Sequence, residues 1–168
     1  MNPLKSDEFP AEWTKYIDTV TSDCLESLRG QLETFPAFLR SIPAGKSEYA
    51  YAEDKWNIKE VVGHVLDTER IMAYRVLCFA RNDTKELPGF DQDVYVENGY
   101  FSSFSLEHYA EEFIQMRTAN LMFFESLRDN ALLRSGLAGG RLMSVRALLF
   151  MIAGHLNHHR TIIQERYL

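Results

Sequence analysis

Apolar residues recur every three or four positions along four stretches of this chain, the period of an α-helix that buries one face. The first stretch runs from about Glu12 to Leu39, with Trp13, Ile17, Val20, Cys24 and Leu28 on one stripe. Pro36 is placed to end or bend it. Ser41 to Lys55, carrying Pro43, Gly45, Lys46 and Ser47, reads as a loop. The second helix opens at Asn57. Asn57 and Glu60 have capping-box spacing just ahead of Val61, Val62, Val65 and Leu66, and the pattern continues to about Arg81.

Residues 82–104 form the longest break, with Pro88, Gly89 and Gly99 among Phe90, Tyr95, Tyr100, Phe101 and Phe104. A connection this long reads either as a lid or binding wall, or as a crossover that packs its own aromatics on the helices. Ser105 caps a third helix with Leu106, Tyr109, Phe113, Met116, Asn120, Phe123 and Leu127 on a three-four seam. Gly136, Gly139 and Gly140 interrupt the chain again. Ser144 then caps a last helix carrying Leu148, Ile152, His155, His159 and Ile162. The pattern predicts an all-α, antiparallel four-helix bundle, with a long crossover between the second and third helices and one domain over residues 1–168.

Composition agrees with that reading. Pro and Gly number only 5 and 9, and most of them fall between the periodic stretches, with Gly30, Pro36, Gly63 and Gly154 the exceptions. A net charge of −6 and the lack of any Lys/Arg run argue against nucleic-acid or membrane partners. Cys24 and Cys78 lie in apolar helical stretches, make no CxxC pair and read as small core residues. The N-terminal residues lack the apolar run of a signal peptide, and no stretch is long enough to span a bilayer, so the cytoplasm is the expected location.

The histidines change the picture. His155 and His159 are four apart, so their Cβ atoms stack about 6 Å apart on one helix face, at positions the seam would otherwise give to Leu or Ile. Buried imidazoles need partners, and a shared divalent ion uses one nitrogen of each ring. His64, inside the apolar run of the second helix, is the third candidate, because bundle metal sites are assembled from facing helices. Three histidines would leave a tetrahedral ion one open position, the pattern of a catalytic rather than a structural site.

The alternative for each ring is a hydrogen-bonded core histidine. His155 with His158 is an alternative pair, although His158 leaves the seam. Asp67 shares a face with His64 and reads either as an acceptor for a ligand imidazole or as a solvated acid. Glu69 and His108 read as surface groups, and Glu165, Arg166 and Tyr167 as helix-end surface and packing residues.

Two motifs resemble a known family. The stretch from Lys55 through Trp56, Asn57, Ile58, Lys59 and Glu60 to His64 and the acids Asp67 and Glu69 is similar to the second helix of DinB/YfiT-like proteins. Gly154-His155-Leu156-Asn157-His158-His159-Arg160 resembles the family's HxxHH ending, and Glu165-Arg166-Tyr167-Leu168 its YfiT-like branch. The resemblance covers the chain in helix order, although its specific motifs occupy only short stretches. Asn57 stands where the family often has Ser, which touches the cap and not the site.

The resemblance implies a metal-binding four-helix bundle with His64, His155 and His159 as ligands to zinc, nickel or a similar divalent ion. Imidazole alone does not choose among such metals. It also implies a homodimer and a transferase that uses a low-molecular-weight thiol such as bacillithiol or mycothiol. Two other readings remain open at this stage: metal-assisted hydrolysis of a small-molecule substrate, and a metal-binding stress-response protein without turnover.

Overall fold

The computed structural model describes residues 4–21 and 23–168. The first predicted helix is two pieces. A 3-10 turn at Ala11–Trp13 leads into a single helical turn, α1 (Thr14–Ile17), and the long helix α2 begins only at Cys24, running to Ser41. The reason is local chemistry. The Asp23 side chain accepts from the backbone N–H groups of Leu25 and Glu26, at 3.0 and 3.5 Å, and so starts a new helix after a run of β-branched residues. Pro36 does not end α2, which continues past it to Ser41.

Helix α3 (Ile58–Ala80) opens with the expected capping box. Asn57 accepts from the Glu60 N–H at 3.0 Å, and the Glu60 carboxylate accepts from the Asn57 N–H at 2.7 Å. The crossover that follows carries a short helix, α4 (Gln92–Asn98), capped by Asp91, and a 3-10 turn at Phe101–Ser103. Helix α5 (Leu106–Glu125) starts at Ser105, whose hydroxyl accepts from His108 N–H.

After a single turn, α6 (Asp129–Leu132), the glycine-rich break forms a hairpin that the sequence pattern did not reveal. Strands β1 (Ser135–Ala138) and β2 (Arg141–Ser144) pair antiparallel across Gly139 and Gly140. Both glycines have positive φ, +56° and +73°, which is what a two-residue hairpin turn of matching twist demands. Leu87 of the crossover pairs with this hairpin through bonds to Leu137 O and from Gly139 N, both 2.9 Å. The last helix, α7 (Val145–Arg166), is capped by Ser144 as expected.

Helix α2 packs on α5 and α7, and α3 packs on α7 and α5, so α2 and α3 sit on a diagonal. Cross-links fix the directions. Arg29 pairs with Glu125 and Arg40 with Glu107, which makes α2 and α5 antiparallel. Tyr167 donates to Trp56 O while His64 meets His155, which makes α3 and α7 antiparallel. Gln31 bonds to Ala153 O and Arg160 lies over Phe38, so α2 and α7 run the same way. By elimination α3 and α5 are parallel too, and a chain joining parallel helices must return the full bundle length. That requirement accounts for the long 82–104 connection.

The apolar core has two ends. One gathers Leu28, Val76, Phe79, Phe124 and Leu148, and the other Phe35, Val62, Leu66, Phe113 and Ile163. Between them the helices place Gln31, His64, Glu69, Arg117 and His155, all buried and polar, in one waist. Cys24 and Cys78 are free thiols, the first fully buried. No helix among the described residues is long and apolar enough to cross a membrane.

Candidate metal centre

The waist holds two polar networks. In the first, Arg117 Nε and Nη2 donate to the two Glu69 carboxylate oxygens, both at 2.7 Å, and Asn120 donates to Oε1 at 3.0 Å. Arg117 Nη1 also donates to Gln31 Oε1 and Leu28 O, at 2.7 and 3.1 Å. Glu69 is therefore not the surface acid that the sequence suggested. It is 3% exposed and bound face to face by a guanidinium that is 0% exposed. Sequence reading missed this pair because its members lie on different helices, so no spacing within one helix joins them.

The second network is the histidine cluster. His64 Nε2 and His159 Nε2 each stand 3.1 Å from His155 Nε2. The three ligand nitrogens lie within 4.8 Å of one another, the one group of three or more His, Cys, Asp or Glu ligand atoms so placed among the described residues. A tetrahedral ion with metal–nitrogen bonds of about 2.0–2.1 Å sets its donors roughly 3.3 Å apart, so these rings need only small movement to share one. His155 Nε2 has a single site, proton or lone pair, to offer two neighbours. A shared cation would satisfy all three rings together. The donor set thus fits a divalent ion.

Burial favours the neutral rings that metal ligation requires. Desolvation lowers His64 to about 4 and His159 to about 3, the latter also through the neighbouring His64. His155, the most buried, is held well below the usual imidazole range by desolvation first and by its two partners next. These shifts have a consequence for the metal-free chain. Between the ordinary value of 6.5 and about 4, the unfolded chain binds protons that the folded chain refuses, so stability falls as pH drops through that window. Each ring contributes a slope of up to about 1.4 kcal/mol per pH unit. Urea midpoints of the metal-free protein should therefore fall between pH 7 and 5, above the range in which carboxylates titrate. A flat profile would mean solvated rings.

The surrounding elements position the cluster. Trp56 lies against His64 with ring centroids 4.9 Å apart, and its carbonyl is held by the Tyr167 hydroxyl at 2.7 Å. Tyr16 of α1 lies 5.5 Å from the His155 ring and edge-on to His158 at 5.0 Å. That close approach depends on Gly154, where a Cβ would come within 2.1 Å of the Tyr16 carbonyl oxygen. His158 packs edge-on to Tyr16 at 5.0 Å and to His159 at 5.2 Å but is not among the three whose ligand atoms converge, and His108 is half exposed, stacked on Phe104 and 3.6 Å from Glu112. Asp67 does not serve an imidazole: its carboxylate accepts from Arg70 at 3.1 Å, and burial raises its pKa.

Two cavities reach the cluster. A cleft of about 320 Å³ has His64, Thr68, Arg75, Phe90 and His155 in its walls. Another of about 330 Å³ is walled by Tyr51, Trp56, Tyr167 and His159. Gln92, the first residue of α4, borders both. The 82–104 segment is thus a crossover whose Gly89, Phe90 and Gln92 also line the cleft. Its Tyr95, Tyr100 and Phe104 are exposed instead. Thr68, Arg75 and Gln92 escaped sequence reading, although Thr68 and Arg75 share the His64 face of α3 at one-turn and three-turn spacing.

Comparison with known proteins places this geometry. A family model described as the DinB superfamily matches residues 27–163. A solved structure described as YfiT from Bacillus subtilis, a probable metal-dependent hydrolase with an unusual four-helix bundle topology, superposes with a TM-score of 0.71 at 17% identity, covering 98% of this chain and 90% of that one. The mycothiol-dependent maleylpyruvate isomerase superposes with a TM-score of 0.66 at 13% identity. There the alignment spans 88% of this chain and 62% of the other. No functionally curated protein matches the sequence.

Proposed function

The chain belongs to the DinB superfamily, and from that premise we propose that it holds one divalent ion on His64, His155 and His159 and transfers a low-molecular-weight thiol to an electrophile. The observation that carries this reading is the convergence of three Nε2 atoms with no carboxylate among them, one cavity against His64 and His155 and another against His159. A divalent ion with an open fourth position lowers the pKa of a thiol taken up there, so that thiolate is present at neutral pH.

The chain's own residues supply the setting. Burial keeps the three rings neutral, and Trp56 and Tyr16 pack on His64 and His155 and fix their orientation. Cys24 does not compete as nucleophile, because burial pushes its thiol far above the ordinary range. The two cavities offer separate places for thiol and electrophile.

The description of YfiT as a probable metal-dependent hydrolase favours a second reading, with water in the thiol's place. That reaction needs a general base. The three acids nearest His64 in sequence are engaged elsewhere, Asp67 by Arg70, Glu60 by the Asn57 N–H and Glu69 by Arg117. This occupancy supports the thiol reading over hydrolysis.

The test is direct. Protein loaded with zinc or nickel is mixed with bacillithiol and monochlorobimane, and the thioether is followed by fluorescence. Adduct formation that requires the metal and is lost in His64→Ala is expected. Turnover of an ester or amide without any thiol would instead support the hydrolase. Metal binding without turnover of either kind would leave a non-catalytic metal protein.

A further inference from the structure

The cleft against His64 and His155 contains a charge without a counter-ion. Arg75 is 5% exposed. Its guanidinium donates to Pro88 O at 3.0 Å and to the Met72 sulfur at 3.7 Å, and it lies 5.9 Å from the centre of the Phe90 ring. Among the described residues no carboxylate pairs with it. The other two buried guanidiniums among the described residues each have one: Arg117 has Glu69 and Arg146 has Glu8. A buried, unpaired guanidinium is costly to maintain, and burial alone lowers its pKa with no acid offsetting the effect. Two of its five N–H groups are used, and three remain for a ligand.

A second, independent feature lies in the same cleft. Thr68 is 2% exposed and its hydroxyl has no hydrogen-bond partner. A helical threonine ordinarily donates back to the carbonyl four residues earlier, and Thr68 does not. Thr68 sits one turn beyond His64, and Met72 one turn beyond Thr68. The Arg75 side chain leans back along α3 toward Met72, as helical side chains do. His64, Thr68 and the Arg75 guanidinium therefore line one wall of the cleft in that order. Glu12, the one acid in that lining, is already paired with Arg141 at 3.0 Å.

We propose that Arg75 is the binding site for a carboxylate on the substrate, with the Thr68 hydroxyl donating to a polar atom between that carboxylate and the histidines. The guanidinium fork matches a planar carboxylate in two parallel hydrogen bonds. Met72, Phe90 and Met151 give the rest of the molecule apolar walls. The substrate class is thus a small organic acid, anchored at one end of the cleft and presented to the histidines at the other. This assignment rests on the proposed function for the meaning of the histidines, but not for the anion site itself.

Benzoate and its neutral isostere benzamide, titrated calorimetrically, separate the possibilities. Wild-type protein should bind benzoate at least roughly tenfold more tightly than benzamide, the range expected for charge-assisted hydrogen bonds. Arg75→Gln should abolish the preference while retaining the helical circular dichroism, and Arg75→Lys should restore part of it. Arg29→Gln, on the exposed side of α2 and outside the cleft, should leave the benzoate preference unchanged and serves as the control. His64→Ala should keep the benzoate preference even if it loses its ion. Loss in that variant would mean that the carboxylate sits on the metal, and would overturn the proposal. Equal affinity for benzoate and benzamide in the wild type, or an unchanged preference in Arg75→Gln, would overturn it as well. Failure of metal binding with the benzoate preference intact would count against the proposed function alone.

Discussion

Arg117→Met should lower the free energy of unfolding by about 3–5 kcal/mol, the cost of leaving one member of a buried ion pair without its partner. The guanidinium is fully buried and makes four hydrogen bonds, two to Glu69 and one each to Gln31 and Leu28 O. Removing it strands the Glu69 carboxylate with only Asn120 as donor. A second substitution separates pair from packing. With Glu69→Leu added, no charge is left buried, and most of the loss should be recovered, since apolar replacements of whole buried pairs are often neutral or better. Urea denaturation of wild type, single and double variants measures all three. A loss under about 1 kcal/mol in Arg117→Met would place the pair among solvent-screened bridges and contradict its burial.

The largest functional effect should come from His155→Ala. His155 is the hub of the cluster: both 3.1 Å contacts run through its Nε2, and His64 and His159 come from different helices. Its removal leaves two ligands, one on α3 and one on α7, which is too few for a stable site in a bundle. Metal affinity should fall by more than the roughly 10- to 100-fold that loss of an outer-shell partner costs. His158→Ala is the matched control on the same helix: its ring packs edge-on to Tyr16 and His159 but is not one of the three whose ligand atoms converge, so affinity should change far less. Competition with a chromophoric chelator reads both. Equal loss in the two variants would mean that His158 shares the ion, as the alternative spacing allowed.

The helices were legible because each carries its own signal: a cap at Asn57, Ser105 or Ser144 and a stripe at three-four spacing. What the stripe cannot report is direction or adjacency. The parallel pairing of α3 with α5 follows from contacts such as Glu69 with Arg117, between residues 48 apart in sequence. Asp23 was legible as a cap in principle, but the apolar stripe from Trp13 to Leu28 ran through it and masked the break. Gly139-Gly140 carried a hairpin signal that the surrounding helical pattern obscured.

At the site, the i,i+4 pair His155 and His159 was visible, because imidazoles occupied seam positions. His64 was a candidate from its place inside an apolar helix, but no spacing rule connects it to α7, and the family resemblance was needed to join it to the pair. Arg75 and Thr68 gave no signal, for their importance lies in partners they lack, and a sequence shows only the residues present. The same blindness explains Glu69, whose burial was set by an arginine on another helix.

The most direct test of the account is the metal content of the chain, expressed without a histidine tag and assayed by elemental analysis. About one divalent ion per chain is expected, held by three histidine ligands that leave one position open, with none retained by His64→Ala after gel filtration. No stoichiometric ion in the wild type, even after incubation with zinc or nickel, would make the three imidazoles core residues that merely touch, and would remove the proposed chemistry with the site.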